Sequence, residues 1–268
     1  ILYNFEKLLY THEKDGLYNI VIVGGGATGV ELAGAFAEMT REVLPKDYPN
    51  IDSSKVNVYL LEGSPYTLSA MSPFAREYSE KYLRSMGVNV MTNTLVQDYD
   101  GEVITLNNGE TIRTHNVIWS AGVIGNIIDG IPDEAKASGG RIKVDRQNRI
   151  EGLTDVFAIG DVAYMETEKY PHGHPQLANV AIGQGKNLAR NLQRMVADRT
   201  DFKDYEYRNL GTMATVGRNK AVVDLPFVKF RGRFAWFVWM FLHLMLILSV
   251  RNKIVIFINW AWNYFTKN

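Results

Sequence analysis

Cysteine is absent from all 268 residues, which excludes disulfides, thiolate nucleophiles, iron–sulfur clusters and cysteine-ligated zinc. Histidine is scarce, with five residues scattered along the chain, so no dedicated metal centre is expected. Acid is missing from one end. Asp224 is the last acidic residue, yet Lys229, Arg231, Arg233, Arg251, Lys253 and Lys267 all follow it. The overall balance of 29 basic against 29 acidic residues therefore conceals a basic tail on an acidic body. No secretory leader and no initiator Met head the chain, which opens at Ile1 in a helix-like stretch, and we expect the start of the gene product to lie upstream. Repeats and low-complexity tracts are lacking too. With 46% apolar residues, the chain can build one large or two small cores and is not disordered.

The first half alternates between strand and helix patterns. Residues 1–18 carry Leu2, Phe5, Leu8 and Leu9 at helical spacing and close on Asp15 and Gly16. Asn19 to Val23 predicts a strand, Gly24 to Gly29 a glycine-rich turn, and Val30 to about Leu44 a helix stopped by Pro45. A strand over Val56 to Leu61, a helix over Pro73 to Met86 and a strand over Val88 to Met91 continue the alternation. Such a series specifies a parallel, doubly wound sheet. Three short strands between Thr94 and Arg113 form a meander turning at Asn107 to Gly109, and Val117 to Ser120 closes the sheet. From Val123 the pattern changes to strands at Arg141 to Asp145 and Val156 to Ile159 and a helix at Pro175 to Ala197. A hairpin turns at Gly217. The expected domains are 19–122 and 123–225, preceded by an upstream helix end at 1–18 and followed by a tail at 226–268.

Gly24, Gly26 and Gly29 form G-x-G-x-x-G after a strand and at the opening of a helix. The first glycine permits the tight turn, the second lets backbone approach a pyrophosphate, and the third lets helix and strand pack closely. The helix N-terminus adds partial positive charge. Glu62 ends the second strand, where a carboxylate accepts from both adenosine ribose hydroxyls and repels a 2′-phosphate. No Lys or Arg intervenes before Arg76, so NADH is favoured over NADPH. Glu31 lies in the first turns of the motif helix, where a carboxylate suits the helix dipole in any protein and chemistry leaves its role open.

Two later stretches do not belong to a lone NAD domain. In Thr154 to Asp161 a strand delivers Gly160 and the Asp161 carboxylate to a loop, suited to a polyol such as the ribityl chain of FAD. Pro175 then opens a helix whose N-terminus can stabilise negative charge on a flavin pyrimidine.

Together, Gly24 to Gly34, Trp119 to Gly122, Asp155 to Asp161, Ala178 to Gly185, Met213 to Ala221 and Ala235 to Leu244 resemble the type II NADH dehydrogenases. These are the non-proton-pumping, FAD-containing NADH:quinone oxidoreductases of the two-dinucleotide-binding flavoprotein superfamily. The resemblance implies an α/β fold of two Rossmann-like domains, the FAD domain incomplete, plus C-terminal amphipathic membrane-binding helices. It maps the NADH turn to Gly24, Gly26 and Gly29, the ribose carboxylate to Glu62, and the FAD-binding acid to Asp161 beside Gly160. It places Glu31 near nicotinamide and quinone, and makes Ala121 and Gly122 the crossover into the FAD domain. The family's quinone-side pattern, A-Q-x-A-x-Q-Q-G, here reads Ala178-Asn179-Val180-Ala181-Ile182-Gly183-Gln184-Gly185. Gln184 survives while Asn179 and Gly183 depart from the pattern. His172 and His174, in the loop before this helix, are assigned no role. The family's first G-x-G-x-x-G, which grips FAD, has no counterpart in this sequence.

The tail from Pro226 holds Trp236, Trp239, Trp260 and Trp262 of the five Trp, and seven of the twelve Phe. Phe234 to Val250 has only His243 and Ser249 as polar residues, close to the ~20 residues that span a bilayer. Ile254 to Phe265 is too short to span and has a polar side at Asn259 and Asn263. Trp and Tyr at several heights, with Arg and Lys at the ends, suit helices lying in the interface, and basic residues without acid favour anionic lipid. The implied function is hydride transfer from NADH to FAD and then electron transfer to a membrane quinone in a respiratory chain. The enzyme would sit peripherally on the cytoplasmic face of a bacterial membrane or on the mitochondrial inner membrane. A homodimer is compatible with this reading and nucleic acid is not. The alternatives are another NADH-dependent flavin reductase of the superfamily and a non-catalytic, membrane-bound NAD-sensing module.

Overall fold

A computed structural model describes every residue except Glu13, Leu248, Lys267 and Asn268, and omits the side chains of Leu246 and Phe265. Lys267, one of the tail's basic residues, thus lies outside the described residues. The chain divides into two units, Ile1–Ala121 with Leu210–Asn268, and Gly122–Asn209.

The expected helix over 1–18 shrinks to α1, Leu2–Lys7. Phe5, Leu8 and Leu17 all bury in one cluster with Ile20, while Leu2 and Leu9 stay exposed. The chain reaches that cluster twice by turning after Lys7 rather than continuing helical. Strand β1 (Asn19–Val23) follows, buried from Ile20 onward because both of its faces are covered: Ile22 packs with Val30 and Ala33 on one side, and Val21 and Val23 pack with Ile104, Leu106 and Ile112 on the other. Helix α2 (Ala27–Glu38) passes through a wide turn at Met39–Val43 into α3, Leu44–Asp47. Pro45 does not stop the helical path. It occupies the first turn of α3, where its missing N–H costs nothing.

Strand β2 (Asn57–Leu61), helix α4 (Pro73–Ser85), β3 (Asn89–Met91), β4 (Val96–Tyr99), β5 (Val103–Leu106), β6 (Thr111–Arg113) and β7 (Asn116–Trp119) complete the segment. The parallel sheet runs in the order β3-β2-β1-β7, and β4-β5-β6 form a separate antiparallel meander. Ile22, Val58 and Leu60 of the sheet pack with Val30, Ala33 and Ala37 of α2 and Ala75 and Leu83 of α4.

In the second unit, β8 (Lys136–Ala137), β9 (Arg141–Lys143) and β10 (Ala163–Tyr164) form a small sheet, followed by α5, Ala178–Val196. The expected strand at Val156 to Ile159 is reduced to a single bridge between Arg149 and Phe157. Pro175 lies before the helix rather than in its first turn; Leu177 is the N-cap.

The chain then returns to the first unit. Strands β11 (Thr212–Gly217), β12 (Lys220–Asp224) and β13 (Lys229–Arg231) form an antiparallel sheet. The sequence reading grouped this hairpin with 123–225, but Ala214, Val216 and Val222 join the core of the first unit. Gly34 makes this docking close: a Cβ there would collide with the Val216 carbonyl. Asp224 adds a second tie by accepting from the Ser72 N–H at the start of α4, at 2.7 Å. The tail forms α6 (Arg233–Leu246) and α7 (Val250–Thr266). Among the described residues no helix is long and apolar enough to cross a membrane.

Candidate functional site

The turn between β1 and α2 is built by space as much as by sequence. Gly24 adopts φ +108, and a Cβ there would fall 2.8 Å from Ala121. A Cβ on Gly25 would fall 2.9 Å from the Glu62 side chain, and one on Gly29 would strike the Gly24 carbonyl. Gly26 is different, with nothing within 4 Å of its Cβ position. It is the N-cap of α2, and no side chain caps the helix. Backbone N–H groups therefore open onto clear space at a helix N-terminus, the arrangement a pyrophosphate requires.

Glu62 closes this loop from the end of β2. Its Oε2 accepts from the Gly25 N–H at 2.5 Å and its Oε1 from the Ser64 N–H at 2.7 Å. The carboxylate is thus fixed beside the glycine turn, where the ribose of a dinucleotide would lie. Gly24, Gly26, Gly29, Glu62 and Ala121 come together; Gly122, with φ +70, begins the second unit.

Glu31 projects from the flank of the same helix into a cavity of about 280 Å³, lined also by Glu38, Thr215, Arg218, Trp236, Trp239, Trp260 and Tyr264. Its Oε1 accepts from the Thr215 N–H at 3.3 Å. Burial pushes the Glu31 carboxyl above its ordinary range, against the lowering effects of Thr215 and the more distant His243. The Trp239 indole N–H is buried without a hydrogen-bond partner among the described residues. At the cavity rim Arg218 donates its backbone N–H to Glu38 at 2.6 Å and its guanidinium to the Asn263 carbonyl at 3.3 Å. Glu31 and the glycine motif were legible from the sequence. The aromatic wall was not, because it requires α6 and α7 to fold back over β11.

Folding binds the proton on Glu31 more strongly than the unfolded chain does. Stability contributed at this site is therefore greatest below the ordinary carboxylate range and declines as pH rises through the raised value. Glu31→Gln should raise the melting temperature at neutral pH and leave it unchanged below about pH 4, as read by thermal denaturation across pH.

In the second unit, Gly160 (φ +72) and an exposed Asp161 form the loop before β10. Helix α5 begins with exposed Ala178 and Asn179, and no side chain caps it. Gln184 is not at the surface. It is fully buried, accepts from the Gly160 N–H at 2.7 Å, and its Nε2 has no partner among the described residues. Its role in this geometry is to hold the Gly160–Asp161 loop. Gly183 departs from the family pattern for a steric reason, since a Cβ there would lie 2.8 Å from the Tyr205 ring. The acidic loop and uncapped helix fit part of a flavin site.

His174, assigned no role from the sequence, is 1% exposed among Tyr170, Tyr205 and Tyr207; neither ring nitrogen makes a hydrogen bond among the described residues, and Nε2 lies 3.6 Å from the Glu206 carboxylate. Burial holds its pKa below the ordinary value. His174→Phe should be close to neutral, because it removes two buried ring nitrogens that no hydrogen bond satisfies and gives up only the long contact to Glu206. His174→Ala should cost about 2–4 kcal/mol by opening a cavity, as measured by urea denaturation.

The pyridine nucleotide-disulphide oxidoreductase profile matches residues 4–185, and the NDH2 C-terminal domain profile matches 209–267. Type II NADH:quinone oxidoreductase Ndh of Mycobacterium tuberculosis is 31% identical over 91% of this chain and 54% of its own length. The internal alternative NAD(P)H-ubiquinone oxidoreductase A1 of Arabidopsis thaliana mitochondria is 32% identical over 94% of this chain and 52% of its own. The chain spans about half the length of the curated relatives it matches. The solved structure of NDH2 from Plasmodium falciparum in complex with NADH shares the fold, with TM-score 0.87, 18% identity, and coverage of 98% of this chain and 69% of that one. The chain belongs to the pyridine nucleotide-disulphide oxidoreductase family and, through its NDH2 C-terminal domain, resembles the type II NADH dehydrogenases within it.

Proposed function

We propose that this chain is the NADH-binding and membrane-facing part of an NADH:quinone oxidoreductase that does not pump protons. One observation carries the reading: α2 presents the open glycine turn at its N-terminus and Glu31 on its flank, inside the aromatic cavity made with the tail. A single rigid element thus serves a dinucleotide site and an apolar, ring-lined site. The relatives named for NADH:quinone and NAD(P)H-ubiquinone oxidoreduction support the same pairing.

In this reading Gly24, Gly26 and Gly29 seat the pyrophosphate of NADH and Glu62 holds its adenosine ribose. Gly160, Asp161, Ala178 and Asn179 contribute to the FAD site, with Gln184 bracing the loop and Ala121 and Gly122 forming the crossover. FAD, when bound, supplies the redox chemistry between a hydride donor and a two-electron acceptor. The cavity of Glu31, Trp236, Trp239 and Trp260 receives the quinone ring. The largely exposed apolar residues Phe234, Phe241, Ile254, Phe257, Ile258 and Trp262, flanked by Arg233, Arg251 and Lys253, meet an anionic lipid surface from which the quinone enters. Attachment is peripheral, on a bacterial cell membrane or the mitochondrial inner membrane.

The test fills the cavity without touching the nucleotide site. Ala35 lines it from the exposed flank of α2, so Ala35→Phe in the full-length protein should cut NADH-dependent reduction of a long-chain quinone at least ten-fold while reduction of ferricyanide continues. Undiminished quinone reduction would place the acceptor elsewhere.

A further inference from the structure

No described side chain of α7 is buried, so apolar burial alone does not fix where this helix lies on the first unit. Directed contacts near one end set its place. Among the described residues, the hydrogen bonds that tie α7 to other elements converge on Asn263 and Tyr264, about 21 Å along the helix from Val250.

The Tyr264 hydroxyl is the meeting point of three elements. It accepts from the Arg233 guanidinium, at the start of α6, at 2.8 Å, and it donates to Asn219 Oδ1, on the turn between β11 and β12, at 3.3 Å. The Tyr264 ring stacks on Trp236 of α6 with centroids 5.5 Å apart, and the Arg218 guanidinium lies 6.0 Å from the Tyr264 ring centroid. The turn that carries Arg218 and Asn219 is itself fixed to α2 and to the wide turn after it. Arg218 donates its N–H to Glu38, its guanidinium lies 3.8 Å from the Glu42 carboxylate, and Gly34 leaves room for the Val216 carbonyl. Glu31 on α2 and Trp260 on α7 line the same cavity. Trp260 precedes Tyr264 by four residues, one helical turn, so the clasp on Tyr264 sets how far the Trp260 wall stands from α2.

We propose that Tyr264 and Asn219 are positioning residues for the electron acceptor: their clasp holds α7, and with it Trp260, at the spacing that grips a quinone ring against α2. This rests on the quinone reading of the cavity given above. Neither residue takes part in electron transfer or nucleotide binding, and Asn219 acts only through the Tyr264 hydroxyl.

The experiment uses the full-length protein with a long-chain quinone in liposomes. Tyr264→Phe keeps the ring in the wall and removes both hydroxyl bonds. It should raise the quinone KM about five-fold, the effect of losing about one net hydrogen bond, with kcat at saturating quinone within about two-fold. Hydrogen exchange of the α7 amides should speed up while that of α2 does not. Asn219 has φ +63, so Asn219→Gly removes the acceptor without straining the turn. That variant should raise KM about two-fold and leave ferricyanide reduction unchanged. Added to Tyr264→Phe it should change nothing further, whereas independent structural roles would add. A Tyr264→Phe enzyme with an unaltered quinone KM or unaltered α7 exchange overturns the clasp, and so do additive effects in the double variant. Ala35→Phe, measured alongside, keeps the two readings apart. If it leaves quinone reduction undiminished, the cavity reading falls and the clasp with it; if it abolishes quinone reduction while Tyr264→Phe is unaltered, the clasp alone falls.

Discussion

Truncation at Val250 in the full-length protein is expected to abolish co-sedimentation with anionic liposomes and to cut long-chain quinone turnover by more than ten-fold, while ferricyanide reduction by NADH continues. The structure sets the cut. Deleting from Pro226 would also remove β13, which pairs with β12, and Ala235, which is buried against Ala221 and Val223. Cutting at Val250 spares those contacts and removes Trp260, Asn263 and Tyr264 from the cavity wall. Reversing the charge of Arg251 and Lys253 should give a milder, salt-sensitive loss, because each basic residue near the surface contributes about 1 kcal/mol that ionic strength screens. A truncated enzyme that still sediments and still reduces long-chain quinone would make α7 a structural element only.

The second large effect is expected at Glu62. Its two oxygens hold the Gly25 and Ser64 N–H groups, so Glu62→Ala removes the carboxylate proposed to hold the ribose and also loosens the turn. NADH affinity should fall ten-fold or more. Affinity for NADPH should fall less, because the repulsion of its 2′-phosphate disappears at the same time, and the preference for NADH should narrow. Glu62→Gln should narrow the preference with a smaller loss of NADH affinity, since the amide can still accept a hydrogen bond. Steady-state kcat/KM for both nucleotides checks this, and equal values in the unsubstituted enzyme would contradict the assignment.

The residues that could be placed from sequence were those whose roles are local. Gly24 must take a positive φ, Gly29 must admit the Gly24 carbonyl, and Glu62 must follow a strand; spacing and residue type report all three. Breaks in helices were less legible. A proline normally stops a helix, but at Pro45 the preceding wide turn starts a new helical segment in which proline is tolerated. Long-range burial was illegible. His174 stands in a polar, proline-flanked loop, and only the arrival of Tyr205 and Tyr207 encloses it. The hairpin at Gly217 follows the second unit in sequence, yet its apolar face complements α2 through Gly34, a contact that local patterning does not encode. Gln184 has the residue type of a ligand contact, but burial turns it toward the Gly160 N–H.

The central claim, that this chain serves electron transfer from NADH to quinone through a flavin, is tested most directly by the absorption spectrum of the anaerobic full-length protein during successive additions. NADH should bleach the oxidised flavin bands, NADPH at the same concentration should do so far more slowly, and a ubiquinone or menaquinone analogue should then restore the colour. A flavin that NADH leaves oxidised, or one that NADH bleaches and neither quinone reoxidises, would contradict the account.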